Sequence, residues 1–576
     1  MKHRILPRLL PENLAATLPD LPPLLARLYA SRGVESVAEL ERGLDCLYPI
    51  SAMKGIDGAA VLLLRAVETG QRILIVGDFD CDGATSTTVA VRALRLMGAR
   101  DVQFLVPNRF KYGYGLTPEI VAVAATLEPD LIVTVDNGIA SVEGVAAAKK
   151  LGIQVLVTDH HLPGAVLPEA DAIVNPNQPG CEFPSKALAG VGVIFYVMMA
   201  LRAALRDFGW FERRGMALPN LAQLLDLVAL GTVADVVPLD QVNRILVSQG
   251  LARIRAGQCC AGISALLEIG GRTRERIVAS DLGFVVGPRL NAAGRLEDMS
   301  IGIHCLLTDD LTQAKALAGT LDRLNRERRT IESEMQDQAL AHLESLQLAD
   351  EDALPTGLCL FQPDWHQGVI GILASRIKDR YHRPVIVFAE ADANTVKGSA
   401  RSVLGFHIRD ALDAVATRYP GLIQKFGGHA MAAGLSLDKS RFEAFIVAFD
   451  EEARRHLTSD DLQGTILSDG ELTATDFTLE LAEALRNGGP WGQGFPEPCF
   501  DGVFDVVSRR IVGERHLKLV LKPQGQTLSI GAIAFNTVDD DWPGRVQQVR
   551  IAYKLDVNEF RGSRELQLLI DHLEPL

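Results

Sequence analysis

A multidomain α/β protein is expected: a parallel-sheet domain, a long helix, a second α/β domain and a small β-barrel at the C-terminal end. Three observations predict this. From Arg72 to about Asp240, β-branched or aliphatic runs alternate with helical stretches, and three of the β-like runs stop at acids. Residues 308–347 lack proline and carry Leu317, Leu321, Leu324, Ile331 and Met335 at three-, four- and seven-residue spacings. After Pro490-Trp491-Gly492, short alternating runs are separated by turn residues.

In order along the chain, residues 1–70 read as helices broken by Pro11, Pro19, Pro22 and Pro23, a cap on the first domain. Residues 71–307 form that domain. Its expected strands include Ile73–Val76, Val102–Val106, Leu131–Val135 and Val155–Thr158, with helices over Thr85–Met97, from Pro118 and over Val142–Leu151; residues 245–305 read as largely helical. Leu227-Val228-Ala229-Leu230 is a fourth apolar run before an acid, less β-like than the others. Residues 308–347 make one helix, about 60 Å long at 1.5 Å per residue, with Arg323, Arg326, Arg328 and Arg329 on its charged side. Residues 348–460 hold a second α/β unit with strands Gly357–Phe361 and Pro384–Phe388, and with "WHQGVIG", "KGSARS" and "FGGHAMAAG" as glycine-bearing loops. Residues 461–576, with Leu517–Leu521, Val549–Tyr553 and Leu566–Ile570 as short strands, suggest a small β-barrel of the OB-fold kind.

Composition bounds the function. The 576 residues, 48% hydrophobic and 23% charged, provide ample core for several domains. The longest uncharged apolar stretch, Ala187 to Leu201, is shorter than the roughly 20 residues of a membrane span and contains two glycines, so a buried helix is expected and no membrane partner. Nothing near Met1 reads as a signal peptide. The eight cysteines show no CxxC or CxxH spacing, which argues against structural zinc and disulfides and fits a reducing cytoplasm. A net charge of −14 argues against a general polyanion coat but leaves room for a local basic groove.

The chemistry lies in four acidic stretches: Asp78, Asp80 and Asp82 in "GDFDCDGATS", Asp136 in "VTVDNG", Asp159-His160-His161 in "VTDHH", and Asp235 in "GTVADVVPL". Carboxylates this close repel one another, so a cation normally neutralises them. Oxygen ligands with one or two imidazoles suit magnesium or manganese, and a pair of such ions is the usual apparatus for cleaving phosphate esters. An EF-hand is disfavoured because Ser86 to Val89 offer no closing glutamate. Singly, Asp136-Asn137-Gly138 reads as a strand-end turn and Asp235 as a loop cap; their joint occurrence after apolar runs favours a site. Tyr112, Tyr114 and Trp365 are candidates for base stacking, with ordinary packing the alternative for each.

"DFDCDG", "DNG", "DHH" and "GTVADVVPL" resemble the successive motifs of the DHH phosphoesterase superfamily, and "KGSARS" and "FGGHAMAAG" resemble its associated DHHA1 domain. "GPRLNAAGR" (Gly287 to Arg295) and "GPWGQGFPEP" (Gly489 to Pro498) narrow the resemblance to the bacterial single-stranded-DNA-specific 5′→3′ exonucleases; Cys81 departs from the small residue more usual there. The resemblance implies two divalent cations, Mn2+ or Mg2+. Asp80 and Asp82 would each hold one, Asp136 would bridge them, and His160 and Asp235 would complete one shell. Asp78 and Asp159 would be ligands or would orient ligands, and His161 would touch the scissile phosphate. Arg109, Ser399 and Arg401 would hold the 5′ end of the strand, Arg289 would lie close to the active site with Asn291 and Arg295 beside it, and His429 would face the same nucleotide. It further implies a role in DNA recombination and repair, single-stranded DNA as substrate, a single-strand-binding protein and a RecQ-type helicase as partners, a monomer, and a place in the bacterial cytoplasm at the nucleoid. Three rivals stand against this: another hydrolase of the superfamily (oligoribonuclease, pyrophosphatase or cyclic-dinucleotide phosphodiesterase), a non-catalytic single-strand-binding scaffold, and a dehydrogenase. The last is disfavoured by the missing GxGxxG.

Overall fold

The computed structural model describes residues 3–11, 18–108, 112, 114–349, 354–513, 516–535, 537, 546–560 and 563–576. The chain divides into two compact units, each built from separated segments: Arg8–Asn325 with Asp469–Leu576, and Met1–Pro7 with Arg326–Ser468.

The larger unit is organised on a parallel sheet of β1 (Arg72–Gly77), β2 (Asp101–Leu105), β3 (Leu131–Val135), β4 (Gln154–Thr158) and β5 (Ala172–Val174), in the order β2-β1-β3-β4-β5. Every residue of β3 is buried, and so are Ile73 to Gly77 of β1. Helices cover both faces, so these strands read as continuous apolar runs rather than alternating ones. The chain enters at β1, steps to β2 at the edge, then returns to β3 on the other side of β1. Ligand sites in such sheets form at this reversal, outside the carboxyl ends of the strands.

The helix Cys81–Leu96 starts there and is almost wholly buried, packed by the helices Gly190–Asp207 and Leu225–Ala234. Gly190–Asp207 is the buried helix expected around Ala187 to Leu201. The run Leu227–Leu230 lies inside the helix Leu225–Ala234 and is not a strand; all four residues are buried, so the run carries no alternation to distinguish it. In the N-terminal region the helices Pro23–Ala30 and Ile56–Thr69 flank three single 3-10 turns.

The helix Leu311–Ala349 runs 39 residues. Ala314, Ala318, Leu321 and Leu324 join the core of the larger unit, while Met335, Ala339 and Leu343 join a core of the smaller one. Three- and four-residue spacing thus serves both segments.

The smaller unit carries a mixed sheet of β6 (Leu358–Phe361), β7 (Val385–Glu390), β8 (Thr395–Arg401), β9 (Lys425–Gly428) and β10 (Ala432–Asp438), ordered β9-β10-β8-β7-β6. "KGSARS" and much of "FGGHAMAAG", expected as loops, are therefore strands. β8 alternates buried and less buried residues and pairs on both sides, and its glycine, Gly398, lets Phe388 and Leu435 approach within 2.6 and 2.7 Å of where a Cβ would stand. The first residues leave the expected helical cap: Arg4–Pro7 pairs in parallel with Thr465–Ser468 within this unit.

Back in the larger unit, β11 (Phe500–Val512), β12 (His516–Pro523), β13 (Ile530–Ala534), β14 (Gln548–Phe560) and β15 (Ser563–Pro575) close into a barrel in the order β11-β12-β13-β15-β14. Within the barrel, β13 and β15 pair in parallel. Leu517, Leu519 and Leu521 alternate inward, and Leu28 of the Pro23–Ala30 helix belongs to the same core. Register shifts at Val506/Ser508 and Ala552/Tyr553 bend the long strands around the barrel. Among the described residues no helix is long and apolar enough to cross a membrane.

Candidate active site

The acids expected to converge do so at the carboxyl ends of β1, β3 and β4. Three groups each bring one ligand atom per residue within 4.8 Å of one another: Asp78, Asp80 and Asp136; Asp82, His160 and Asp235; and Asp136, His160 and His161. Asp136 and His160 are shared between groups, so the clusters form one site.

Local structure explains each position. Asp80 caps the helix Cys81–Leu96, its Oδ1 accepting from Gly83 N at 3.0 Å, and Asn291 Oδ1 accepts from Cys81 N at 2.8 Å. Asp82, one turn inside, is fully buried and accepts from Gly190 N at 2.7 Å and Val191 N at 3.0 Å. Its charge therefore sits at the N-terminus of the helix Gly190–Asp207, where open amides and the helix dipole favour an anion. Asp136 follows β3 with φ +62°, a left-handed conformation that aspartate tolerates better than most residues. Asn137 donates from Nδ2 to Val76 O (3.1 Å) and Val135 O (2.9 Å), tying β1 to β3 beneath the site. Asp235 caps the C-terminal end of the helix Leu225–Ala234.

His160 Nε2 lies 3.1 Å from Asp136 Oδ1 and 3.5 Å from Asp235 Oδ2. Those two carboxylate oxygens are buried, yet among the described residues neither accepts a hydrogen bond. Burial, then repulsion from the neighbouring acids, pushes the carboxyls of Asp82 and Asp136 well above the usual range; burial and Asp80 push Asp235 up to about 7. Buried acceptors without donors, imidazole among carboxylates and mutual repulsion are what a divalent cation would relieve. The residues present fit Mg2+ or Mn2+.

Asp159 has another job. Its Oδ2 accepts from Ile139 N at 2.9 Å; its Oδ1 accepts from the amides of His160 (2.7 Å) and His161 (3.1 Å) and lies 2.8 Å from His161 Nδ1. It belongs to none of the three ligand groups. Burial opposes a charge on His161, but the bond to Asp159 and that carboxylate's charge outweigh it, raising the pKa to about 9.

Sequence reasoning missed several contributors. Tyr114, expected to stack on a base or simply to pack, brings its hydroxyl 3.0 Å from His161 Nδ1 and donates to Asp136 O at 3.1 Å. Asn175 and Asn177 donate from Nδ2 to the carbonyls of His161 (3.0 Å) and His160 (2.6 Å). A short apolar run before "NPN" was the available signal. Gly190 and Gly231 let helices close on the acids: a Cβ at Gly190 would stand 2.6 Å from Asp136 Oδ1, and one at Gly231 2.7 Å from Asp82 Oδ1.

The basic residues are placed less uniformly. Arg109 lies outside the described residues. Arg289 pairs with Asp322 at 2.9 Å and donates to Val285 O at 2.6 Å, so protein groups hold much of its guanidinium. Arg295 lies on the helix Gly287–Leu296 with Asn291. In the smaller unit Ser399 and Arg401 share one side of β8, with Arg401 Nη1 donating to Ser399 Oγ at 3.2 Å. Their amides sit in a strand paired on both sides, not in the expected loop. A Cβ at Gly371 would come 2.9 Å from Ser399 Oγ and 3.0 Å from Arg401 Nη2, so that glycine keeps space open over both. His429 is exposed in the turn from β9 to β10. Trp365 is 5% exposed and donates to Gln338 Oε1 at 2.6 Å; Tyr112 packs against the sheet. Both are packing residues. Cys81 is buried, and burial and the adjacent acids push its thiol pKa well up, away from reactivity.

A doubly wound sheet with this cluster at its reversal defines a DHH-type phosphoesterase. The model of the "DHH family, N-terminal domain" matches residues 72–232, that of the "DHHA1 domain" residues 355–455, and that of the "RecJ OB domain" residues 468–572. The single-stranded-DNA-specific exonuclease RecJ of Salmonella typhimurium is 58% identical over 563 residues, covering 97% of each chain; that of Escherichia coli is 55% identical over 578 residues, covering 100% of each. The crystal structure of RecJ from Thermus thermophilus in complex with Mn2+ superposes with a TM-score of 0.80 at 32% identity, covering 100% of this chain and 79% of that one. The corresponding Mg2+ complex gives 0.75 at 31%, covering 100% and 78%. The chain belongs to the RecJ family.

Proposed function

We propose that this protein is a metal-dependent exonuclease that hydrolyses single-stranded DNA from the 5′ end, in DNA recombination and repair. The observation that carries the reading is the convergence of Asp78, Asp80, Asp82, Asp136, His160 and Asp235, with buried oxygens of Asp136 and Asp235 that accept no hydrogen bond among the described residues. These six side chains would hold two divalent cations, Asp136 contributing to both. When bound, such ions supply water activation and charge neutralisation at the scissile phosphate.

The chain's own residues do the rest. Asp159 and Tyr114 fix the His161 ring so that it faces the phosphate. Asn175 and Asn177 fix the backbone from which both histidines project. Asp82, held by the amides of Gly190 and Val191, keeps its carboxylate aimed without relying on a side-chain rotamer alone. Ser399, Arg401 and His429 are assigned to the 5′-terminal phosphate, with Arg109 contributing, because arginine forks match phosphate geometry. Arg289, Asn291 and Arg295 support the site edge. The closed barrel is assigned to the strand farther from the cut. Names of the relatives and the family resemblance support single-stranded DNA as substrate; the resemblance alone supports 5′→3′ polarity, a single-strand-binding protein and RecQ-type helicase as partners, a monomer, and a cytoplasmic, nucleoid-associated setting.

The test is digestion of 5′- and 3′-labelled single and double strands, DNA and RNA, with Mn2+, Mg2+ or chelator. Mononucleotide release from the 5′ end of single-stranded DNA, abolished by chelator, is expected. Equal attack on duplexes, release from the 3′ end or metal-independent cleavage would overturn the reading.

A further inference from the structure

Away from the carboxylate cluster, the larger unit has a half-open cavity of about 480 Å³ lined from both of its sequence segments. Arg42, Arg255 and Arg486 line it. Each is held by backbone carbonyls: Arg42 by Asn487 O (3.1 Å) and Gly488 O (2.8 Å), Arg255 by Ile277 O (2.9 and 2.7 Å), Arg486 by Arg276 O (3.0 Å). Among the described residues none of the three forms an ion pair. The acids nearby are committed elsewhere, Glu497 to Lys554 at 3.3 Å and Asp281 to Arg272 at 2.9 Å. Burial, then the charges of Arg486 and Arg42, pull the pKa of Arg255 below its ordinary value. Glu497 lines the same pocket and the charge of Asp281 reaches Arg255, but among the described residues no carboxylate pairs directly with any of the three cations, and each has N–H donors to spare.

Two aromatics complete the lining. Phe284 projects from the single π-turn Leu282–Val286 and is 77% exposed, although Leu282, Val285 and Val286 of that turn are buried. Trp491 is held by its Nε1 donating to Leu485 O at 2.8 Å. The volume falls within the range of small-molecule sites. Guanidinium forks select phosphate, and an exposed ring offers a stacking face to a base.

We propose that this cavity binds one nucleoside-phosphate unit, its phosphate on Arg42, Arg255 and Arg486 and its base against Phe284. The ligand chemistry is shared by a free mononucleotide and by a nucleotide within a strand. The inference does not depend on the cleavage reading.

The full chain, in chelator, is irradiated with 5-iodo-deoxyuridine monophosphate, or with a single-stranded oligonucleotide bearing one 5-iodo-deoxyuridine, and the labelled peptides are mapped by mass spectrometry. Label at Phe284 or Trp491 is expected, reduced about five-fold or more in Arg42→Gln and Arg486→Gln. Label from the free nucleotide identifies that source; label from the oligonucleotide alone identifies the strand. No label on either peptide with either probe, or label unchanged in both variants, overturns the assignment. Cleavage of a short strand with Mn2+ is measured in parallel and is expected to be unchanged in Phe284→Ala and Arg486→Gln. Its loss together with the label would make the cavity part of the cleavage path and overturn it as a separate site.

Discussion

Asp136 holds a left-handed backbone conformation with a carboxylate only 2% exposed among other acids. Without a cation these conditions oppose folding. Asparagine tolerates the same backbone and carries no charge. In chelator, Asp136→Asn is therefore expected to raise the melting temperature by about 2–4 °C, roughly 1 kcal/mol, while hydrolysis with Mn2+ is lost and single-strand binding is retained. A lower melting temperature in chelator would mean that the acids do not strain the fold. Asp159 presents the converse case, since its four contacts all lie within the protein. Asp159→Asn should lower activity or Mn2+ affinity about 10–100-fold, as loss of a group that orients ligands does. An unchanged Mn2+ titration and rate would remove Asp159 from the site.

Elements decide how closely the acids can be approached. The helices Gly190–Asp207 and Leu225–Ala234 reach Asp136 and Asp82 only because each presents a glycine there. Gly190→Ala and Gly231→Ala should each abolish most activity. Gly319→Ala, in the long helix with nothing within 4 Å of the added methyl, should stabilise by about 0.5–1 kcal/mol and leave activity intact. Thermal melts and a nuclease assay on the three variants check this, and equal effects would refute the packing argument. The same elements show what the sequence makes legible. Buried parallel strands are continuous apolar runs, so the acids that end β1, β3 and β4 stand out. The helix before Asp235 is buried all round and has no period to read. "KGSARS" looks like a loop because of its glycine, but that glycine serves strand packing, not a turn. Tyr114, Asn175 and Asn177 act on backbone or ring atoms of residues far away in sequence, and no local pattern marks such contacts.

At the scale of the whole molecule, one buried ion pair joins distant parts of the larger unit. Arg32, in the turn after the helix Pro23–Ala30, meets Asp469 at 2.9 Å, with both side chains at most 1% exposed. Asp469 also accepts from Cys499 N at 2.9 Å, next to the first barrel strand. Asp469→Ala leaves a buried guanidinium without its partner and should cost about 3–5 kcal/mol, read by denaturant unfolding. A cost near that of an exposed pair would show that water reaches Arg32.

The larger unit is interrupted in sequence by residues 326–468. On a translating ribosome, the catalytic sheet therefore emerges first and waits on the order of ten seconds or more for the barrel, at about 5–20 residues per second. During that interval Leu28 has no barrel core to enter and Arg32 has no counter-ion. Nascent chains stalled near residue 470 should lose the segment around Pro23–Ala30 to brief protease treatment, whereas released full-length chains should keep it. The N-terminal helix would then report when synthesis is complete, and a holding chaperone would find its target there.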